Sequence, residues 1–360
     1  MQAGEPVTAD PDMPGKAGLI GLLLCSLFPV FGLFAIGVDL PRIAAAFADQ
    51  PNARLLAQLI GGSTGLAFAL SSPVIGLLIE RFGYRNVYVA SIVGFAIIGA
   101  TPALLDSLPL IVATRCLLGI TVAGAMTAGM SGLGQLPAAV RGRMFGRNAV
   151  VSSVGAIISF PLVGKLAALS WRTPFLIHLA ALLIIPLVMS LRSKPSPRGA
   201  TARSAGGKGL GVPIHLVALA ALIGLTMYVG PMFSPFYLAS IGITDPALAA
   251  IPLSTMSCCS LLMTSNYGRL HARFGTATIF GGILLAVGIG LTSAGMSLSL
   301  PIFAASMGVV ACGLAMFTPN MGAAISEVSA GNPGRGIGWA MSAMFAVQVF
   351  FPFIAEGIRS

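Results

Sequence analysis

Residues 76–85 read Gly-Leu-Leu-Ile-Glu-Arg-Phe-Gly-Tyr-Arg, and residues 268–277 read Gly-Arg-Leu-His-Ala-Arg-Phe-Gly-Thr-Ala. The frame G-x-x-x-x-R-F-G is thus written twice, 192 positions apart, each time between two long apolar runs. The likeness continues at the same offset. Leu108-Pro109 opens one apolar run after the first copy, and Leu300-Pro301 opens one after the second. Arg141-Gly142 follows the first of these runs and Arg335-Gly336 the second. A short basic turn repeated in the same rank order in each half points to two homologous halves.

Composition names the solvent. Hydrophobic residues are 56% of the chain and charged residues 8%. A soluble domain carries about 25% charged residues, so this chain cannot cover a surface facing water. Its 45 glycines suit helices that pack closely in lipid. Cutting at charges and Pro/Gly clusters leaves eleven runs near the roughly 20 residues that span a bilayer. They are 18–38, 55–79, 87–105, 109–136, 146–169, 173–191, 212–239, 247–268, 276–296, 300–326 and 337–358. None alternates as a barrel strand does, so the expected fold class is all-α integral membrane, two helical bundles with about 11 spans.

The connections divide by charge. With the N-terminus cytoplasmic, one set carries 14 Lys and Arg and the other five, with Arg115 inside a span. That asymmetry sets the orientation and accounts for the net charge of +10 without nucleic acid. Residues 1–16 hold Glu5, Asp10 and Asp12 against Lys16, unlike the basic start of a secretory signal. The stretch 192–211 is rich in Ser, Gly, Pro and positive charge and reads as a cytoplasmic linker. It separates an expected six-span half, 1–191, from a five-span half, 212–360. Cys25, Cys116, Cys258, Cys259 and Cys312 lie in apolar runs without a C-x-x-C pair, and read as small core residues with no metal or cofactor.

Several motifs together resemble the major facilitator superfamily. Gly76-Leu-Leu-Ile-Glu80-Arg81-Phe-Gly83-Tyr-Arg85 is similar to its loop signature G-x-x-x-D-R-x-G-R-R, with Glu80 for Asp and Tyr84 for the first of the paired basic residues. Arg115-Cys-Leu-Leu-Gly119 resembles R-x-x-Q-G, with Leu118 for Gln. Trp171-Arg172-Thr-Pro-Phe175 resembles the family's W-R-x-x-F, and Leu40-Pro41-x-Ile43 follows span one. Pro161 and Gly164 are what this chain keeps of the helix-five signature of drug:proton antiporters. The resemblance implies a transporter in the cytoplasmic membrane, moving a small solute with protons as coupling ion, as a monomer. Twelve spans are usual there, and the twelfth is not among the eleven runs.

The residues that could do work are polar groups in lipid. Arg115 lies about 9 Å from the outer end of span four at 1.5 Å per residue. It is costly there unless it faces a cavity, finds a partner or snorkels. Gly119, Ala123 and Gly124 follow it at helical spacing and predict close packing on its side. Asp39 closes span one and is the best available proton carrier, or a partner for Arg115 or Arg42; Glu327 and Glu356 sit at other span ends. Glu80 is placed to favour the positive end of the helix opening near Ile337, the family's conformational latch. Pro231 and Pro235 should kink span seven. Tyr228, Phe233, Tyr237, Asn266, Asn320 and Gln348 are cavity candidates, or in the case of the aromatics lipid-facing groups. No nucleophile–base pair or phosphate loop is written, so an enzyme is not expected. Proton-coupled efflux leads, with uptake by symport or a non-transporting receptor-like protein of the same fold as alternatives.

Overall fold

The computed structural model describes residues 14–191 and 214–328, with 340, 343, 344, 346 and 347. Helix α1 is Lys16–Ala46, α2 is Ala53–Phe82, α3 is Tyr84–Leu104, α4 is Leu108–Gly134, α5 is Ala138–Leu169 and α6 is Thr173–Met189. After the linker come α7 (214–240), α8 (246–274), α9 (276–295) and α10 (Leu300–Val328). The described residues contain no strand. The span expected at 337–358 lies almost wholly outside the described residues, as do Glu356 and Ile337 and the side chain of Glu327.

The two R-F-G turns fold alike. A single residue, Gly83, parts α2 from α3 with φ 79° and ψ 148°. Gly275, in the same place of the second frame, parts α8 from α9 with φ 73° and ψ 170°. This region of backbone space is open essentially to glycine alone. The turns therefore need their glycines, and the echo in sequence is an echo in backbone.

Helix α4 is the axle of the first half. Its glycines seat three neighbours: Gly119 meets the α2 backbone at Thr64 and Phe68, Gly124 meets Ser91 of α3, and Gly129 meets Cys25 of α1. The small residues thus serve different faces. Gly119, one turn after Arg115, is a close packing contact with α2. A core around Phe28, Tyr88, Ile92 and Val122 fills this half. A second core around Ile223, Ile283, Phe317 and Met321 fills the α7–α10 half.

Two smaller clusters join the halves. One packs Ile36, Leu40, Ile60, Ile111 and Phe175 against Met232 and Phe236 of α7. The other packs Val38, Phe160 and Val163 against Ala250 and Leu253 of α8. Both lie toward the end of the molecule that carries the connections 47–52, 105–107, 170–172 and 241–245. The halves are closed against each other at that end.

The span boundaries differ most from the expectation at the end of α1, the start of α5 and the end of α8. Span one runs eight residues beyond 38 because, after the 3-10 segment that ends at Asp39, it resumes the α form over Leu40–Ala46. Span six is 3-10 from Thr173 to Ile184. Spans eight and nine are continuous except at Gly275.

Candidate functional site

The first helix of each half is broken in mid-span. Val30–Phe34 of α1 and Val229–Phe233 of α7 are π segments, and α1 continues as a 3-10 turn over Ala35–Asp39. A proline follows each break. Pro41 and Pro235 have no N–H to give, and their rings crowd the carbonyl four residues back. The Ser234 hydroxyl donates to the Gly230 carbonyl at 2.5 Å, in place of the backbone donor it lacks. The expected kink at Pro231 and Pro235 is thus a π segment. Such segments are frequent at functional sites.

The two broken stretches meet. Ile36 and Leu40 share a cluster with Met232 and Phe236, while Phe233 flanks it. Asp39 sits between these contacts and is 0% exposed. Neither of its carboxyl oxygens accepts a hydrogen bond. Arg42, one turn on, donates instead to the Ala167 carbonyl in the last turn of α5, one of the four carbonyls a helix end leaves open. The Arg54 guanidinium lies 5.2 Å above the Phe236 ring, a contact across the halves. The expected pairings of Asp39 with Arg115 or Arg42 do not form: its oxygens accept nothing, and both arginines donate to backbone carbonyls.

The seam between α5 and α8 lies beside this junction. A Cβ at Gly164 would stand 2.7 Å from the Pro246 carbonyl oxygen and 3.2 Å from the Ala250 Cβ. Gly164 thus lets α5 touch the start of α8 backbone to backbone. Pro161, one turn earlier, lines a cleft of about 370 Å³ with Ala247, Ser254 and Cys258. The helix-five residues picked out by sequence are brought to the closed interface between the halves.

Arg115 occupies another place. It is 0% exposed, and its Nη2 donates to the Gly99 carbonyl of α3 at 3.1 Å. Its guanidinium carbon is 5.1 Å above the Phe175 ring of α6. Nε and Nη1 are buried without an acceptor. These contacts come from α3 and α6, so the residue is enclosed in the first half and does not snorkel. His178 stands beside it. Its ring rests on Gly99 and lies 4.9 Å from the Phe95 ring, Nδ1 bonds with the Phe175 carbonyl at 2.8 Å, and Nε2 has no partner.

The turn residues are partly engaged. Arg85 Nη1 donates to the Leu191 carbonyl at 3.2 Å, Arg81 is exposed, Glu80 is half-buried, and the space around Gly76 is open. The helix start expected opposite Glu80 lies outside the described residues. Two cavity candidates are hydrogen-bonded within the second half. The Tyr237 hydroxyl donates to the carbonyls of Gly295 and Ser297, with its ring stacked on Phe303 at 5.2 Å. Asn320 donates to the Thr276 carbonyl and accepts from the Tyr267 hydroxyl. Asn266 is half-buried and bonds to Leu262 and Arg269 of its own helix. The side chain of Tyr228 and all of Gln348 lie outside the described residues.

Sequence reasoning passed over two polar side chains. His178 is one. Asn148 of α5 is the other: its amide donates to the Leu23 carbonyl at 2.8 Å, and the Ser26 hydroxyl donates to the Asn148 carbonyl at 3.0 Å. Together they hold α1 where it turns 3-10 over Leu24–Ser26. An uncharged polar residue inside an apolar run was the available signal for both. Arg172 of the W-R-x-x-F motif ties α6 to the carbonyls of Ala103 and Leu105 and to Asp106 at 2.5 Å.

Known proteins now place this arrangement. The Major Facilitator Superfamily profile matches residues 22–352. The chain belongs to the Major Facilitator Superfamily. Among curated proteins it is 35% identical over 148 residues to the class C tetracycline resistance protein of Escherichia coli, a stretch covering 39% of this chain and 36% of that protein. Among solved structures it is similar to a D-xylose–proton symporter, with TM-score 0.75 and 17% identity over 94% of this chain and 88% of that one. It is also similar to a bacterial homologue of the human lysosomal transporter Spinster, described as inward-facing and unoccupied, with TM-score 0.70 and 16% identity over 96% and 82%. As a superfamily member it is a multi-pass membrane protein of the transporter fold.

Proposed function

We propose that this superfamily member exports a small, moderately hydrophobic solute across the cytoplasmic membrane in exchange for protons, and is not an enzyme. The halves 1–191 and 212–360 rock about a midplane site, joined by the cytoplasmic linker 192–211. The N-terminus is cytoplasmic in this reading, so the joined end faces outward and the described form is closed to the outside. The observation that carries it is Asp39, a buried carboxyl with no hydrogen-bond partner where the broken stretches of α1 and α7 meet. A carboxyl at a hinge between halves is exposed when the halves part and buried when they close, which is what a proton carrier needs. The partial similarity to a tetracycline resistance protein supports the outward direction.

Symport is the second reading, favoured by the structural likeness to a D-xylose–proton symporter. Arg115 keeps its place in both as a positive group near the proton route. Glu80, Arg81, Gly83 and Arg85 form the latch at the opposite end, and Pro161 and Gly164 close the outer seam. Solute flux in proteoliposomes with an imposed pH gradient tests this. Export predicts solute movement against the proton flow, abolished in Asp39→Asn. Flux that ignores the gradient would sink proton coupling, and movement along the proton flow would select the symporter.

A further inference from the structure

His178 is a buried polar side chain that the proposed cycle does not use. It is 2% exposed, and α6 carries it to the side of Arg115. Gly99 and Phe175 are the neighbours the two share. Arg115 Nη2 donates to the Gly99 carbonyl, and its guanidinium carbon lies over the Phe175 ring. His178 Nδ1 bonds with the Phe175 carbonyl. A Cβ at Gly99 would stand 2.4 Å from His178 Cδ2, so the glycine is what lets the imidazole in. Cδ2 is the ring carbon bonded to Nε2. That nitrogen therefore stands one bond from the atom that rests on Gly99, the residue whose carbonyl holds Arg115.

The unmet atoms of the pair are complementary. A carbonyl only accepts, so Nδ1 carries the proton, and Nε2 of the neutral ring is an acceptor. Among the described residues Nε2 meets no donor, and Arg115 Nε and Nη1 meet no acceptor. Leaving either kind unmet is costly in an apolar interior. The Phe175 ring holds the cation through its face, an attraction that does not fix which way the N–H groups point. We propose that Arg115 has two seats over the Phe175 ring, the Gly99 carbonyl in this form and His178 Nε2 in the alternate one, and that His178 is the positioning residue for the second. The exchange is a turn of one side chain and moves no helix. The inference rests on the reading that Arg115 works in the transport cycle, and it is the same for export and symport.

Three variants of the full chain separate this role from packing. His178→Gln puts an amide oxygen in the place of Nε2. His178→Asn keeps a donor in the place of Nδ1 and has nothing beyond it, and His178→Leu keeps only the bulk. In proteoliposomes at a fixed pH gradient, the maximal flux of His178→Asn and His178→Leu should fall at least ~10-fold with KM unchanged, as for an interaction used only in the working cycle. His178→Gln should keep most of the native flux. Added to Arg115→Met, His178→Leu should cost nothing more, because the two side chains act as one unit. Native flux in His178→Leu, or an equal loss in His178→Gln, would overturn the proposal and leave the reading of Arg115 standing. Native flux in Arg115→Met would overturn both. Nitrogen NMR of ring-labelled histidine, with the His178 signals identified by their loss in His178→Gln, should find the proton on Nδ1. A proton on Nε2 would overturn the proposal whatever the flux.

Discussion

The two halves share a backbone and spend their polar groups differently. In the second half, among the described residues, buried polar side chains brace the fold. Asn320 holds the Thr276 carbonyl beside the second turn, Tyr237 holds the α9–α10 connection, and Ser293 pairs with Ser306 at 2.8 Å. In the first half Asp39, Arg115 and His178 all keep buried atoms without partners. The repeat position of Arg115 is Met307, buried in the second core. A fold that works with methionine in that slot does not need arginine for packing. An unpaired buried charge is kept in one half at a cost, which supports the proposal that the first half carries the transport chemistry.

The strongest way to break that comparison is Arg115→Met, which makes the first half imitate the second. Transport in proteoliposomes should fall at least ~10-fold, the scale of losing an interaction used only in the working cycle. The melting temperature should hold or rise, since replacing a buried charge with an apolar side chain of similar length is often neutral or stabilising. Native flux in this variant would put the functional weight elsewhere. Arg115→Lys should fail as well, because an ammonium cannot keep both the Gly99 contact and the planar stacking over Phe175.

The turns test the shared backbone. Gly83→Ala and Gly275→Ala should each cost about 1–3 kcal/mol, the range for a side chain forced into this glycine-only region. Equal losses in thermal unfolding would establish the two turns as equivalent. A loss at one position only would show that the frame is repeated in letters and not in conformation.

The bracing of the second turn is a smaller matter. Asn320→Leu removes the donor to the Thr276 carbonyl and should cost about 1 kcal/mol, the net worth of a typical hydrogen bond. Transport should be less affected than in Arg115→Met. A transport loss as large as that one, with stability intact, would return Asn320 to the solute path.

Much of the architecture was legible in the sequence because lipid enforces it. A span must be long and apolar, and a turn between antiparallel spans must be short. Those demands fixed the spans and the repeat. The Gly164 seam was legible as a motif, though its contact with Pro246 depends on how α5 crosses α8. Where α1 ends was not legible, because Asp39, Pro41 and Arg42 read as the close of a span while the helix resumes the α form over Leu40–Ala46. The surroundings of Arg115 were not legible either. Helical spacing predicted close packing at Gly119 and Gly124, and the fold supplies which neighbours they meet, α2 for Gly119 and α3 for Gly124, with the Arg115 guanidinium reaching α3 and α6. His178, the neighbour that completes the node, comes from α6 and is joined to it only by the fold.

The smallest effect is expected at Glu80, and it concerns the difference between the two copies of the frame. The first copy has a carboxylate before its arginine, and the second has Ala272 at that place. If the carboxylate acts as a latch on a helix start, its electrostatic worth at a half-buried site is about 0.3–1 kcal/mol. Glu80→Ala should therefore shift the balance of conformations by a few-fold and leave insertion unchanged. The direction follows from where the latch sits. The described form is closed at the far end, and a latch at the near end stabilises the opposite form. Removing it should make cysteines placed at the cytoplasmic mouth more reactive and those at the outer mouth less so. Ala272→Glu offers the complementary test, because it writes the carboxylate into the second copy. If that turn lacks a facing helix start, the variant should change neither reactivity. Equal shifts from both variants would mean that any negative charge in a basic turn has this effect, and the latch would reduce to charge balance.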